Sequence, residues 1–167
     1  METWSRKALA ALGIDVDFVQ DNHSKSGPVG TIRGLHFQTP PAGQGKLVRC
    51  TAGRIVDYAV DIRRDSPTWG RWLGAELSAE NGHQLWVPVG YAHAFVTLEP
   101  DTEVVYKVTD YYSPANDAGI RWDSVDIAWP LPETGPVLSD KDKALPGLAE
   151  FDSPFAYDGE PLPAHLS

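Results

Sequence analysis

Apolar residues in this chain recur mostly at alternate positions, in short runs broken by turn residues, and only once at helical spacing. Near the N-terminus, Trp4, Ala8, Leu9 and Leu12 fall on one side of a helix that Ser5 can cap and Gly13 can end. That spacing predicts a short helix over 5–12. Beyond it the period drops to two, and strands are expected at 16–20, 29–38, 46–51, 54–62, 71–77, 84–87, 94–98 and 102–112. These runs are rich in Val, Ile, Thr, Tyr and Trp, whose branched or flat side chains suit a pleated surface. Asn81-Gly82 reads as a two-residue hairpin turn, and Ser66-Pro67-Thr68 and Glu99-Pro100-Asp101 read as further turns. Many short strands and almost no helix predict an all-β sandwich, jelly roll or barrel. Residues 130–167 hold seven of the 14 prolines. They read as an irregular tail packed on the surface, with one short helix near 142–145.

Length and composition narrow the class. A chain of 167 residues is expected to form one domain spanning 1–167, long enough to bury a core. With 42% hydrophobic and 22% charged residues the composition is that of a globular protein. No apolar run reaches the length of a membrane span, and the first residues do not read as a signal peptide, so no membrane partner is expected. Cys50 is the only cysteine, so no internal disulfide can form, and a cytoplasmic setting is expected. A formal net charge of -9 argues against nucleic acid as a partner. It leaves room for an anionic small molecule met by a local cluster of cations. The stretch 30–50 has that character. Arg33 and His36 sit near the end of one expected strand, and Lys46 and Arg49 open the next, a base beside an anion site.

Two motifs add chemistry. Gly82, Pro88, Gly90 and His93 match the fixed positions of the second cupin motif, G-x5-P-x-G-x2-H, without its closing Asn. The first cupin motif is half present: Gly30 and His36 fit, but Gln38 stands where a second His belongs and no Glu follows at the right distance. The resemblance implies a jelly-roll barrel, and with the elements read above the expected fold is an all-β cupin-type jelly-roll barrel with a short N-terminal helix and an irregular Pro-rich C-terminal tail. Metal-binding cupins use three His and a carboxylate. The broken set therefore predicts a barrel with no metal and no cofactor, and it disfavours a metal-dependent oxygenase.

The strings QDNHS (20–24), RGLHFQ (33–38), GKLVRC (45–50), VDIRRDSPTWG (60–70), LSAEN (77–81), YKVTDYYSP (106–114) and the L-S-x-K-D stretch at 138–142 occur together and in this order. Over that span the chain closely resembles the dTDP-4-dehydrorhamnose 3,5-epimerase family. The resemblance implies a metal-independent isomerase that abstracts a proton beside the C4 ketone of a dTDP-4-dehydro-6-deoxy-hexose and returns one to the opposite face, at C3 and C5. Such chemistry needs a base, an acid across the ring and a cation for the enolate oxygen. By motif, His36 is the expected base, Tyr106 the acid, Asp142 the residue that orients His36, and Lys46 the enolate cation. Arg33, Gln20 and Asn22 are expected to hold the pyrophosphate and nucleoside. His93 and Tyr111 are expected at the pocket wall, and Lys141 among the substrate-binding residues. The resemblance also implies a homodimer and an N-terminal arm that crosses to the neighbouring subunit. The chain begins at what reads as the end of that arm, at Glu2-Thr3-Trp4. Two other readings fit the same residues: a mono-epimerase acting at C3 or C5 alone, and a non-catalytic sugar-nucleotide-binding cupin. His23 and His83 read as solvent-facing, Cys50 as a small buried residue, and the six Trp as core or interface.

Overall fold

The computed structural model describes residues 2–160, so the end of the expected tail, 161–167, lies outside the described residues. Two antiparallel sheets face each other. One carries β1 (Gln20–Ser26), β8 (Thr102–Val108), β3 (Lys46–Ala52) and β6 (Gln84–Val87), in that order. The other runs β5 (Trp72–Ser78), β4 (Arg54–Asp61), β7 (Tyr91–Thr97), β2 (Ile32–Gln38) and β9 (Asp117–Gly119). Orders 1-8-3-6 and 5-4-7-2 are those of an eight-stranded jelly roll, with β9 added at one edge. Helix α1 (Arg6–Ala11) has Ser5 as its cap, the Ser5 hydroxyl accepting from the Ala8 amide at 3.2 Å. Helix α2 (Asp140–Lys143) is capped the same way by Ser139.

The strands bury two distinct cores. Between the sheets lie Val48, Cys50, Ile55, Ala59, Leu85, Val87, Phe95 and Val104. On the outer face of the five-stranded sheet, Ile32, Leu35, Phe37, Tyr58, Val60, Ala92, Ala94 and Val96 form a second layer. Trp129, Leu131, Leu138, Phe151 and Phe155 of the tail cover that layer. Strand β7 is therefore buried on both faces, all seven residues of it. A strand covered on both sides reads as a continuous apolar run rather than an alternating one.

Three local expectations are corrected. The first strand is β1 at Gln20–Ser26, not 16–20. Its sequence, QDNHSKS, lacks the apolar alternation that marks a strand, because its inward face lines a polar cavity. Asn81-Gly82 is a turn but not a hairpin, since β5 pairs with β4 and β6 pairs with β3. The Asn81 side chain builds that turn, accepting from the amides of Ser78 at 3.0 Å and His83 at 2.9 Å. The segment carries the chain from one sheet to the other. Lastly, β8 ends at Val108 rather than 112, which leaves Tyr111 and Tyr112 on a loop.

Strand β2 has an irregularity on which the site depends. Arg33 stands opposite Phe95 and His36 opposite His93, so three residues on β2 advance against two on β7. In a regular strand residues three apart point to opposite faces. The extra residue restores the parity, as a β-bulge does. Ile32 and Leu35 both enter the outer core, and Arg33 and His36 both turn to the inner side. Gly34 sits in this bulge at φ 135, against β7: a Cβ there would lie 2.4 Å from the Ala94 Cβ and 2.6 Å from the His93 carbonyl oxygen. Gly34→Ala is predicted to destabilise the fold by about 2–3 kcal/mol through overpacking and strain. Urea unfolding measures this, and a loss under about 0.5 kcal/mol, the range of a neutral surface change, would contradict the packing described.

Candidate active site

Toward one end of the barrel the inner faces change from apolar to polar, and a cavity of about 320 Å³ opens there. Its walls come from both sheets: Gln20 and Asn22 from β1, Tyr106 from β8, Lys46 from β3, His36 and Gln38 from β2, and Asp117 from β9. Tyr112 and Lys141 stand at its rim. Parity places several of these. Lys46 is two and four residues before Val48 and Cys50, which face the inter-sheet core, and Tyr106 alternates with Val104. Arg49, at odd spacing from Lys46, lies on the outside of the sheet with Asp21, Gln84 and Lys107. The cations beside His36 are therefore fewer than the stretch 30–50 suggested.

His36 is held by Asp142, whose Oδ1 lies 2.5 Å from the ring Nε2. The His36 side chain is 29% exposed and that of Asp142 is 3% exposed, so the acid lies behind the ring and the ring fronts the cavity. Asp142 is delivered by the first turn of α2, where its amide donates to the Ser139 cap at 3.0 Å. Burial alone would raise the Asp142 carboxyl, but the bonds to His36 and Ser139 and the charges of His36 and Lys141 hold it below its ordinary range. A buried carboxylate bonded to one ring nitrogen fixes the imidazole's orientation and leaves the other nitrogen to take up a proton.

Lys46 is 7% exposed, and its Nζ donates to the His36 carbonyl at 3.4 Å. Burial pushes the ammonium down to about 8, against the pull of Asp57 and Asp117. The Lys46 nitrogen lies 6.0 Å from the centre of the Tyr106 ring. Burial raises the Tyr106 phenol, with Arg33 acting the other way, which keeps it protonated at neutral pH. His36 and Tyr106 thus face the cavity from different sheets, with Lys46 set deep beside them.

The remaining sequence candidates fall in five places. Gln20 and Asn22 line the cavity and bond each other at 2.8 Å, and the Gln20 side-chain Oε1 accepts from the Tyr112 amide at 3.2 Å. Arg33 lines an adjoining cavity with Ser139 and Asp142, its guanidinium donating to Ser26 Oγ at 3.0 Å and the Lys25 carbonyl at 3.1 Å. Lys141 is at the rim in an ion pair with Asp117, which raises its ammonium. His93 lies behind the wall, 5% exposed, with Nε2 2.6 Å from Asp57 Oδ1. Tyr111 points outward, 64% exposed, and meets the site through its carbonyl, which accepts from Gln38 Nε2 at 3.1 Å. Gln38 also donates to the Ala42 carbonyl and accepts from the Ser113 amide, so this amide pins two loops at the rim.

Tyr112, Asp117 and Asp57 also belong to the site and are not among the sequence candidates. Tyr112 lines the cavity and its hydroxyl donates to Asp117 Oδ2 at 3.2 Å. Asp117 belongs to β9, a three-residue strand too short to announce itself. Asp57 carried a signal: a carboxylate in the middle of the apolar run I-V-D-Y-A-V demands a buried partner.

A jelly-roll barrel with a carboxylate-held histidine, a facing tyrosine and a buried lysine is equipped for proton transfer at a carbon acid. Comparison with known proteins supplies the family. The model of the dTDP-4-dehydrorhamnose 3,5-epimerase family matches residues 1–150. The chain is 54% identical over 158 residues to dTDP-4-dehydrorhamnose 3,5-epimerase of Sinorhizobium fredii, covering 93% of this chain and 78% of that one. Among solved structures it is similar to the enzyme of the same name from Bacillus anthracis with TDP and pyrophosphate bound (50% identity, TM-score 0.84, 87% and 83% of the two chains). It is similar also to dTDP-6-deoxy-D-glucose-3,5-epimerase of Legionella pneumophila in complex with dTDP-4-keto-L-rhamnose (45% identity, TM-score 0.85, 90% and 80%). The chain belongs to the dTDP-4-dehydrorhamnose 3,5-epimerase family. Among the described residues, no helix is long and apolar enough to cross a membrane.

The His36–Asp142 bond has a consequence for stability. The folded Asp142 carboxyl is depressed, so its contribution is fully present above the ordinary carboxylate range near about 4 and fades as pH falls through the folded value. Asp142→Asn is expected to lose about 1–3 kcal/mol near pH 6, as a buried charged hydrogen bond does. The gap to the wild type should narrow toward pH 3. Urea unfolding at both pH values measures it, and a gap independent of pH would contradict the assignment.

Proposed function

We propose that this protein inverts C3 and C5 of a dTDP-4-dehydro-6-deoxy-hexose, in the formation of dTDP-rhamnose or a related deoxysugar. The observation that carries the reading is the placement of His36, backed by Asp142, and Tyr106 on different sheets around one cavity, with the Lys46 ammonium between them. His36 takes a proton from the carbon beside the C4 ketone, and the electron pair moves to the C4 oxygen. Lys46 faces that oxygen and holds its growing negative charge in a site where water does not compete. Tyr106 then gives its phenolic proton to the other face of the same carbon, and solvent restores both residues. The step repeats at the second carbon flanking the ketone.

The outer part of the cavity serves the nucleotide. Arg33 and Lys141 supply charge for the pyrophosphate, Arg as a planar fork that can bond two oxygens at once. Gln20 and Asn22 present amides to the nucleoside, and the half-exposed Tyr112 ring, rather than Tyr111, offers a face to a base. His93 acts through Asp57 behind the wall. The chain works in the cytoplasm as a homodimer. In support of a second copy, Trp4, Leu9, Leu12, Leu47 and Trp86 leave an apolar hollow on the outside of the four-stranded sheet.

The test is solvent exchange. In deuterated water the protein is expected to place deuterium at C3 and C5 of dTDP-4-dehydro-6-deoxy-glucose. Label at one carbon would make it a mono-epimerase, and label at neither would end the catalytic reading. His36→Ala and Tyr106→Phe are each expected to lower epimerisation about 10²–10⁴-fold, the usual worth of a positioned acid or base. Full epimerisation by Tyr106→Phe would remove Tyr106 from the acid role. Because Lys46 must be charged to hold the enolate, the rate is expected to fall as pH rises through about 8.

A further inference from the structure

Deep in the barrel, behind the cavity, stands a group of ionisable side chains that the steps above leave partly unused. Asp57 projects from the middle of β4 with no exposed surface. One of its oxygens is bonded to His93 Nε2 at 2.6 Å, and the other, Oδ2, is fully buried without a hydrogen-bond partner. Among the described residues, Ser24 Oγ is the one other buried side-chain atom in that state. An unpaired carboxylate oxygen in a dry interior is costly and asks for a nearby positive charge. The Lys46 ammonium enters the same interior from the opposite sheet, with three N–H groups and a single hydrogen bond of 3.4 Å to the His36 carbonyl among the described residues. The Asp57 carboxyl, pushed up by burial against the pull of His93 and Lys46, and the Lys46 ammonium, pushed down by burial, share one low-dielectric space, each under-satisfied by hydrogen bonds.

We infer that Asp57 is a positioning residue of the reaction: fixed by His93, it is the buried counter-ion that keeps Lys46 charged and aimed at the developing oxyanion. The inference rests on the epimerase reading above and assigns Asp57 a part in it. Among the described residues, six ionisable groups share a cavity with Lys46 or act on it: Asp57 of β4, His93 of β7, His36 of β2, Tyr106 of β8, Asp117 of β9 and Lys141 of α2. Desolvation lowers Lys46, and the two carboxylates oppose it, Asp57 ahead of Asp117. Asp117 stands at the rim, its side chain 18% exposed and its Oδ2 accepting from Lys141 and Tyr112. Asp57 is fully buried, and its Oδ2 has no hydrogen-bond partner among the described residues. His93 is pushed down by burial, so the ring stays neutral and donates to Asp57 without adding a second cation beside Lys46. A cation lying opposite a buried anion through the whole reaction also needs no reorganisation when the enolate forms.

The experiment follows Lys46 directly, with protein carrying ¹³C at the lysine ε carbon and the resonance identified by its loss in Lys46→Met. The expected midpoint is near 8 in the wild type, and lower in Asp57→Asn by enough to change the charged fraction at pH 8 several-fold. The basic limb of the exchange rate should move down with it. A purely structural role for Asp57 would lower the rate at every pH and leave both midpoints in place, and that result would overturn the inference. If Asp57→Asn does not fold, Lys46→Met probes the same coupling from the other end. Loss of the cation is expected to raise the titration of the His93 ring, and an unmoved His93 would likewise overturn it. Should the wild type show no exchange at either carbon, the epimerase reading fails, while the Lys46 and His93 titrations still decide whether Asp57 is its counter-ion.

Discussion

A β-strand alternates its side chains strictly, and one extra residue in β2 governs what this barrel can do. Arg33 and His36 are three residues apart, and a regular strand would send one of them outward. The bulge at Gly34 brings both to the inner side and still keeps Ile32, Leu35 and Phe37 in the outer core. Gly34 has no side chain to strike β7, which is why the two strands can close around it. Without that irregularity His36 and Arg33, three residues before it, could not share the inner side of the sheet. The tail reinforces the arrangement from behind, where Phe151 and Phe155 pack against Phe37, the neighbour of His36.

The barrel divides its interior by polarity. Val48, Cys50, Ile55, Leu85, Val87 and Val104 form its apolar part and Lys46, Asp57, His36, His93 and Tyr106 its polar part, the two meeting where Val48 pairs with Tyr106 and Val87 with Lys46. The apolar half supplies stability and the low dielectric in which the polar half works. Burial draws Lys46 down to about 8 and lifts the Tyr106 phenol, so one is a cation near its limit and the other a held proton. Both shifts have desolvation as their leading cause. The chemistry of the site is thus a product of packing as much as of residue identity.

Much of this was legible in the chain, and the exceptions have physical reasons. Lys46, Val48 and Cys50 share a face by period two, as do Val104 and Tyr106, so two walls of the cavity follow from alternation alone. The jelly roll follows from many short strands together with the Gly82–His93 motif. Strand β1 lies later than the apolar pattern suggests because its inward residues, Gln20, Asn22 and Ser24, are polar, and a strand that lines a site loses the apolar signal. Asn81-Gly82 has the chemistry of a hairpin turn, but pairing is decided by tertiary partners that a dipeptide does not encode. Tyr111 and Tyr112 are adjacent on a loop, where no period says which ring turns inward. The His36–Asp142 contact joins residues 106 apart, and family motifs rather than any local pattern pointed to it.

In the proposed reaction one sugar ring sits between His36 and Tyr106 with its C4 oxygen on Lys46. A crystal structure of the protein with a bound dTDP-4-dehydro-6-deoxy-sugar tests it most directly. His36 and Tyr106 are expected on opposite faces of the ring, with the C4 oxygen within about 3 Å of the Lys46 nitrogen, an ordinary hydrogen-bond length. A sugar seated outside the cavity, or one presenting a different oxygen to Lys46, would contradict it.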